Sequence, residues 1–280
     1  MFADLNAFLF HLATERAVLV TVGVTKGSVP RESGAWMAVL PGGADRTIGT
    51  IGGGHLEWDA MRQARDALAR DPADAQAPWE QSVVLGPSLG QCCGGALVLR
   101  FELVDASHLA GLRERLSVGQ TPLALFGGGH VGRAIVQALA PLPFDVTWID
   151  SRDEVFPQDV PRHVVVEHSD PVQSAVRDLS AGSSVLIMSF SHAEDLDIVA
   201  ACLERLRTKA DLDFIGLIGS ATKWATFRSR LRQRGFTGAE LARITCPIGL
   251  PGIDGKQPAV IAASVVAQLL LERKPSSPGV

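Results

Sequence analysis

Tyrosine is absent from all 280 residues. No mechanism that needs a catalytic phenol can operate, which removes the Tyr–Lys short-chain dehydrogenases. Cysteine is scarce: Cys92, Cys93, Cys202 and Cys246, with no CxxC pair. Four thiols so spaced make no disulfide framework, and they read as reduced thiols of a cytoplasmic protein. A basic excess is also missing. Lys and Arg number 26 against 30 Asp and Glu, a net charge of −4, which argues against binding nucleic acid by bulk charge. There is no long hydrophobic run. The most apolar stretch, Ala259–Leu271, has 13 residues and carries Ser264 and Gln268. A bilayer needs roughly 20, so no membrane span is expected. The start, Met1-Phe2-Ala3-Asp4, puts no basic residue before its apolar ones and does not read as a secretory signal.

What is present is an ordinary globular composition, 46% hydrophobic and 20% charged, too apolar for a disordered chain. The length predicts about two domains. The pattern divides near residue 119. Strands are predicted at 17–25, 35–40, 47–51, 80–85 and 96–104, with helices at 55–70 and 106–118. That makes residues 1–119 a smaller, strand-rich α+β domain. Beyond it, short apolar strands at 122–126, 145–149, 163–166, 183–188 and 213–218 alternate with helices at 130–139, 171–179, 193–207 and 221–234. Such alternation implies parallel pairing with right-handed crossovers. Residues 120–280 are therefore expected to form a Rossmann-like, doubly wound α/β domain. A last helix over 258–273 is apolar all round and is predicted to be buried.

Gly127, Gly129 and Gly132 form GxGxxG between an apolar strand and a helix. In a dinucleotide site, Gly127 makes the turn, Gly129 admits a pyrophosphate and Gly132 lets helix and strand approach. Asp150 stands 18 residues after Gly132, where a ribose-binding carboxylate belongs, with Arg152 just beyond. NAD(P) is the cofactor this loop would take. Alternatively its glycines serve packing, and a change at Gly129 acts mainly through folding. His130 lies inside the loop, either as a ligand contact or simply as a helix-start residue. Gly52, Gly53 and Gly54, followed by His55, form a second glycine run between strand and helix, whose N–H groups could cradle an anion. It lacks the Lys-Ser/Thr ending of a P-loop. Cys92, Cys93 and Gly94 lie in a glycine-flanked loop, where a thiolate near free N–H groups becomes a nucleophile or a soft-metal ligand. Cys202 and Cys246 read as structural. His192, after the fourth strand of the second half, is a candidate acid/base; the alternative is helix capping by Ser191 and Asp195. Ser220 and Lys223, after the fifth strand, are further candidate contacts.

Taken in order, GSVPR at Gly27–Arg31, TIGTIGGGHLE at Thr47–Glu57, CGG at Cys93–Gly95, GGGHVGRA at Gly127–Ala134, SHAED at Ser191–Asp195, IGLIGSATK at Ile215–Lys223 and CPIGL at Cys246–Leu250 closely resemble the XdhC/CoxI family of xanthine dehydrogenase accessory proteins. The resemblance spans roughly residues 10–272. It implies a chaperone for the molybdenum cofactor, Mo-molybdopterin. Such a protein holds the cofactor while a cysteine desulfurase replaces an oxo ligand with sulfur, then delivers it to apo xanthine dehydrogenase. It implies a homodimer that is not itself a dehydrogenase. The family's CGG cysteine corresponds to Cys93, a molybdenum contact through the bound cofactor, with Cys92 an extra neighbour. An NAD(P)-dependent oxidoreductase and a thiol-based redox sensor stay open beside it.

Overall fold

The computed structural model describes residues 2–43, 46–70, 77–86, 94–116, 120–161 and 164–273. The chain divides near residue 118 into two units, each with its own core.

The first unit contains α1 (Phe2–Leu12), β1 (Ala17–Lys26), β2 (Trp36–Val39), β3 (Thr47–Gly49), α2 (Gly54–Leu68), β4 (Trp79–Val84), β5 (Ala96–Val104) and α3 (Leu109–Leu116). Its strands form one antiparallel sheet in the order β3-β2-β1-β5-β4. Strand side chains alternate between faces, and here both faces are covered. Val18, Val20 and Val22 pack with Leu56, Ala60, Ala64 and Leu68 of α2. Ala17 and Leu19 pack with Leu5, Phe8 and Leu12 of α1 and with Leu112 and Leu116 of α3. A strand buried on both sides reads as a continuous apolar run, which is why Ala17–Val22 shows no alternation. Helix α1 was not anticipated, although Leu5, Phe8, Leu9 and Leu12 carry helical spacing.

The second unit contains β6 (Thr121–Phe126), α4 (His130–Leu139), β7 (Phe144–Asp150), β8 (Val165–His168), β9 (Ser183–Ile187), α5 (His192–Thr208), β10 (Leu212–Leu217), α6 (Ala221–Gln233), α7 (Gly238–Leu241), β11 (Ile244–Thr245) and α8 (Pro258–Glu272). All six strands are parallel, in the order β11-β10-β9-β6-β7-β8. Counted within this unit and read from the β8 edge, that is 3-2-1-4-5-6, the doubly wound Rossmann order. Its switch point, between β6 and β9, opens a crevice at the carboxyl ends of the strands. Leu196, Val199 and Leu203 of α5 and Phe227 and Leu231 of α6 share a core with one face. Ile135, Val136 and Leu139 of α4 and Ala262, Val265 and Leu269 of α8 fill the other.

Two expectations change, and one strand is new. The stretch 171–179 is not an α-helix but a 3-10 helix, Val172–Asp178. Its end is set by Arg205, whose guanidinium donates to the carbonyls of Val176 (2.7 Å), Arg177 (3.2 Å) and Leu179 (2.7 Å) and is itself held by Asp211. Those bonds tie the last carbonyls to α5. Helix α8 is not buried all round: Leu270 and Leu271 are 43% and 74% exposed, because only one stripe meets the core. Strand β11, with two residues, is too short to carry a pattern of its own.

The fold makes Gly132 obligatory and Gly129 optional. A Cβ at Gly132 would lie 2.1 Å from the Gly127 carbonyl oxygen, whereas one at Gly129 meets nothing within 4 Å. Gly129 also has an ordinary φ of −72° as the N-cap of α4. The expectation that Gly129 acts through folding is therefore reversed. Gly132→Ala should cost at least about 2 kcal/mol in chemical denaturation, and Gly129→Ala about 1 kcal/mol or less. Equal losses would contradict this geometry.

Candidate functional site

In the first unit three sequence motifs meet at one end of the sheet. β1 and β4 finish there, β5 begins there, and β3 leads into the glycine run. The Lys26–Arg31 segment links them. A Cβ at Gly95 would lie 2.4 Å from the Ser28 carbonyl oxygen, and one at Gly52 would lie 2.4 Å from Cβ of Pro30. Both glycines are there because backbone or proline ring packs against them. Arg31 donates to the Thr50 carbonyl at 3.2 Å and pairs with Glu32 at 3.0 Å. Gly94 is exposed beside this cluster. Cys92 and Cys93 lie outside the described residues.

The glycine run carries its own anion. Glu57, four residues after Gly53, folds its carboxylate back into the loop. One oxygen accepts the Ile51 N–H at 3.0 Å, the Gly53 N–H at 3.1 Å and the Thr50 hydroxyl. The Gly52 N–H goes to the Thr50 hydroxyl oxygen at 3.1 Å. Loop N–H groups that a phosphate might have used are thus engaged from within. The α2 start is different. Gly53 provides no side-chain cap, and among the described residues no acceptor reaches the N–H groups of Gly54, His55 or Leu56. Beside them is a hollow of about 400 Å³ lined by Gly54, His55 and Trp58. The Trp58 ring is 57% exposed, and the Arg62 guanidinium lies 5.6 Å from its centroid.

In the second unit the candidates gather at the carboxyl ends of β6, β7, β9 and β10. The Gly127 N–H donates to Ile149 O at 2.8 Å, and the Trp148 indole donates to Gly127 O at 2.9 Å. Gly128 N–H donates to Asp150 Oδ2 at 2.6 Å. Val155 closes over Gly128 and is held there by Arg133, which donates to the Val155 carbonyl at 2.7 Å. Asp150 is almost fully buried. Besides Gly128 it accepts the Arg152 N–H at 2.9 Å and two guanidinium donors of Arg152 at 2.9 and 3.0 Å. Four donors, all from the chain, occupy the carboxylate placed for a ribose. His130 is exposed at the first position of α4.

The next loop is built the same way. Asp195 accepts the Ser189 N–H at 2.8 Å and its hydroxyl at 2.7 Å, and its other oxygen takes Lys223 Nζ at 2.6 Å. Lys223 also donates to Ile218 O at 2.8 Å, so its ammonium is committed to the chain. Ser220 and Ser191 are N-caps, accepting from Lys223 N and Glu194 N, each at 3.2 Å. His192 is exposed at the start of α5 and sets its ring edge-on to Phe227 at 6.2 Å. Burial pushes the Cys246 thiol up to about 11 and the Cys202 thiol up to about 12, so neither is a ready nucleophile. Among the described residues no group of His, Cys, Asp and Glu could hold a metal ion. The sequence reading named the glycines but missed Glu57 as their acceptor. The signal was a carboxylate one helical turn past the run.

The pKa of Asp150 follows from its surroundings. Burial works to raise it, but the hydrogen bonds from the Arg152 side chain, the Gly128 N–H and the Arg152 N–H outweigh burial and hold it below the ordinary 3.8. A lowered folded pKa stabilises the fold above the unfolded value, and that contribution is lost as pH falls through the folded value. Asp150→Asn should therefore cost about 1–3 kcal/mol at neutral pH. The gap from wild type should narrow as pH drops below about 4. Urea titrations at pH 7 and pH 3 measure this, and a gap that widens in acid would contradict it.

Comparison with known proteins agrees with this fold. The model described as the XdhC Rossmann domain matches residues 123–269, and that of the XdhC and CoxI family matches residues 11–75. An uncharacterized Escherichia coli (strain K12) protein, YqeB, is 30% identical over 268 residues, covering 91% of this chain. The chain spans only 43% of that relative's length. A Bacillus halodurans crystal structure described as a xanthine dehydrogenase superposes with a TM-score of 0.73 at 20% identity, covering 98% of each chain. With a family model matched over more than half its length, the chain belongs to the XdhC and CoxI family.

Proposed function

We propose that this chain serves in the maturation of a xanthine dehydrogenase, as a chaperone that binds Mo-molybdopterin. It holds the cofactor between a cysteine desulfurase and the apoenzyme and works as a homodimer. The observation that carries this reading is the hollow at Gly54, His55 and Trp58, which begins two residues after Gly52, the glycine packed on Pro30 of the GSVPR motif.

The described residues suit such a ligand. A phosphate needs N–H donors, and the first turn of α2 offers those of Gly54, His55 and Leu56 without a competing side chain. A pterin ring needs an aromatic face, and Trp58 exposes one. Glu57 and Arg31 fix the loop so that these donors are aimed before a ligand arrives. When bound, the cofactor supplies the molybdenum chemistry of the client enzyme. The chain contributes binding and orientation, and Cys93 a thiol for the metal side. NAD(P) fits less well, because Asp150 is saturated by Gly128 and Arg152 and Lys223 by Asp195 and Ile218.

The test is anaerobic mixing with Mo-molybdopterin followed by gel filtration, with pterin and molybdenum assayed in the protein peak. About one cofactor per chain should co-elute. Trp58→Ala should weaken retention roughly tenfold, the loss of one base–aromatic stack. Cys93→Ala should lower retention of the sulfurated form. Absence of pterin and molybdenum from the wild-type peak would overturn the proposal.

A further inference from the structure

One polar atom at the crevice of the second unit has no partner. Ser151 donates to Glu194 Oε1 at 2.7 Å, while Glu194 Oε2 is out of solvent and hydrogen-bonded to nothing among the described residues. A buried acceptor without a donor is costly and rare, and its usual explanation is a water or ligand that supplies one. Glu194 lies in the first turn of α5, after β9, and Ser151 directly follows β7. The pair therefore spans the carboxyl ends of strands on either side of β6, where this fold receives a ligand's ring.

Next to it is a stacking surface. The Arg152 guanidinium lies 4.3 Å from the Phe190 ring centroid, and that ring is 66% exposed. Arg152 is fastened on its other side to Asp150, so Phe190 is the partner free to move. Glu194 is close enough to act on Arg152. The hydrogen bond to Asp150 first, and then the charges of Asp150 and Glu194, keep the guanidinium pKa above its ordinary value. The ligand that completes this arrangement is planar, stacks between a guanidinium and a phenyl ring, and points N–H donors at a carboxylate. Adenine can bring its amino group to Oε2 but then sets the neighbouring ring acceptor against Oε1. An aminopyrimidinone presents two adjacent donors, one for Oε2 and one for the lone pair of Oε1 that Ser151 leaves open.

We propose that the second unit binds a ring with an aminopyrimidinone edge, guanine or pterin, against Glu194 and between Arg152 and Phe190. The ring swings Phe190 aside, occupies its place on Arg152 and brings one donor to Oε2 and the other to Oε1 beside Ser151. A phosphate on such a ligand finds open backbone at Gly129, where no Cβ or neighbouring atom obstructs approach. All residues of this site belong to the second unit.

The experiment uses the full chain and three probes: free pterin, guanosine monophosphate and adenosine monophosphate. Pterin binding is followed by its fluorescence, and the nucleotides are added as competitors. Wild type should bind pterin saturably, with adenosine monophosphate at least tenfold weaker than the better of the other two. Glu194→Gln should weaken binding tenfold or more while keeping an oxygen for Ser151. Phe190→Ala alters an exposed ring, so the fold is retained, and it should weaken binding several-fold. Competition by guanosine monophosphate at lower concentration than pterin identifies a guanine nucleotide as the ligand; the reverse order identifies a pterin. The proposal is overturned if wild type binds neither ring, if adenosine monophosphate competes equally, or if both variants bind as wild type does. Repeating the titrations in the Trp58→Ala chain removes any pterin held by the first unit from these outcomes, so the two proposals fail separately.

Discussion

Three loops of this chain are held by carboxylates of the chain itself, and the rest of both units is arranged around that constraint. Glu57 takes the N–H groups of Ile51 and Gly53, Asp150 takes that of Gly128, and Asp195 takes that of Ser189. Each loop joins a strand to a helix, so its N–H groups have no ladder partner. Backbone donors left without an acceptor away from water are expensive. In many nucleotide-binding proteins a ligand phosphate meets part of that need. Here a side chain does, and the loops are fixed with no ligand present.

This constraint separates the positions that form the loops from those that remain for a ligand. Gly52, Gly127 and Gly132 admit a proline ring, the Met188 carbonyl just past β9 and a neighbouring turn, and the fold requires them for packing alone. Gly129 and the α2 start have no such internal tenant. Asp150 and Lys223 carry the charges a sequence reading would assign to ribose and phosphate, yet each is satisfied inside the chain. Among the described residues around these loops, the groups still unsatisfied or open include less conspicuous ones: the first-turn N–H groups of α2, the Trp58 face, the Phe190 face and one oxygen of Glu194.

The two-part organisation and nearly all strands were legible because apolar runs and glycine breaks recur at the right lengths. What escaped had physical reasons. Helix α1 opens the chain, and its Leu5, Phe8, Leu9 and Leu12 stripe is short enough to pass for a mere apolar start. The 3-10 helix at Val172–Asp178 has the composition of an α-helix. It ends where it does through the guanidinium of Arg205, a contact 26 to 29 residues distant that no local pattern encodes. The glycine loops were visible as motifs. Whether their donors were free was not, since the answer lay with Glu57, one helical turn on, and with Asp150, 22 residues away from Gly128. Motif spelling reports the backbone's shape; it does not report which acceptor already fills it.

The Asp195–Lys223 pair shows how far such filling extends. Side-chain exposures of 3% and 11% place it among buried ion pairs, where desolvation can cancel much of the attraction. Its geometry explains why it is tolerated. Asp195 has two Ser189 donors besides the ammonium, and Lys223 has the Ile218 carbonyl and the face of Phe227 at 5.3 Å. Neither charge relies on the other alone. The pair ties the first turn of α5 to that of α6 across the ends of β9 and β10. Glu194 is the residue immediately before Asp195 on the first turn of α5. The pair fixes the backbone of that turn and Ser151 holds Oε1 of Glu194, while Oε2 has no partner among the described residues. A fixed, unfilled acceptor beside a filled one is what a preorganised ligand contact requires.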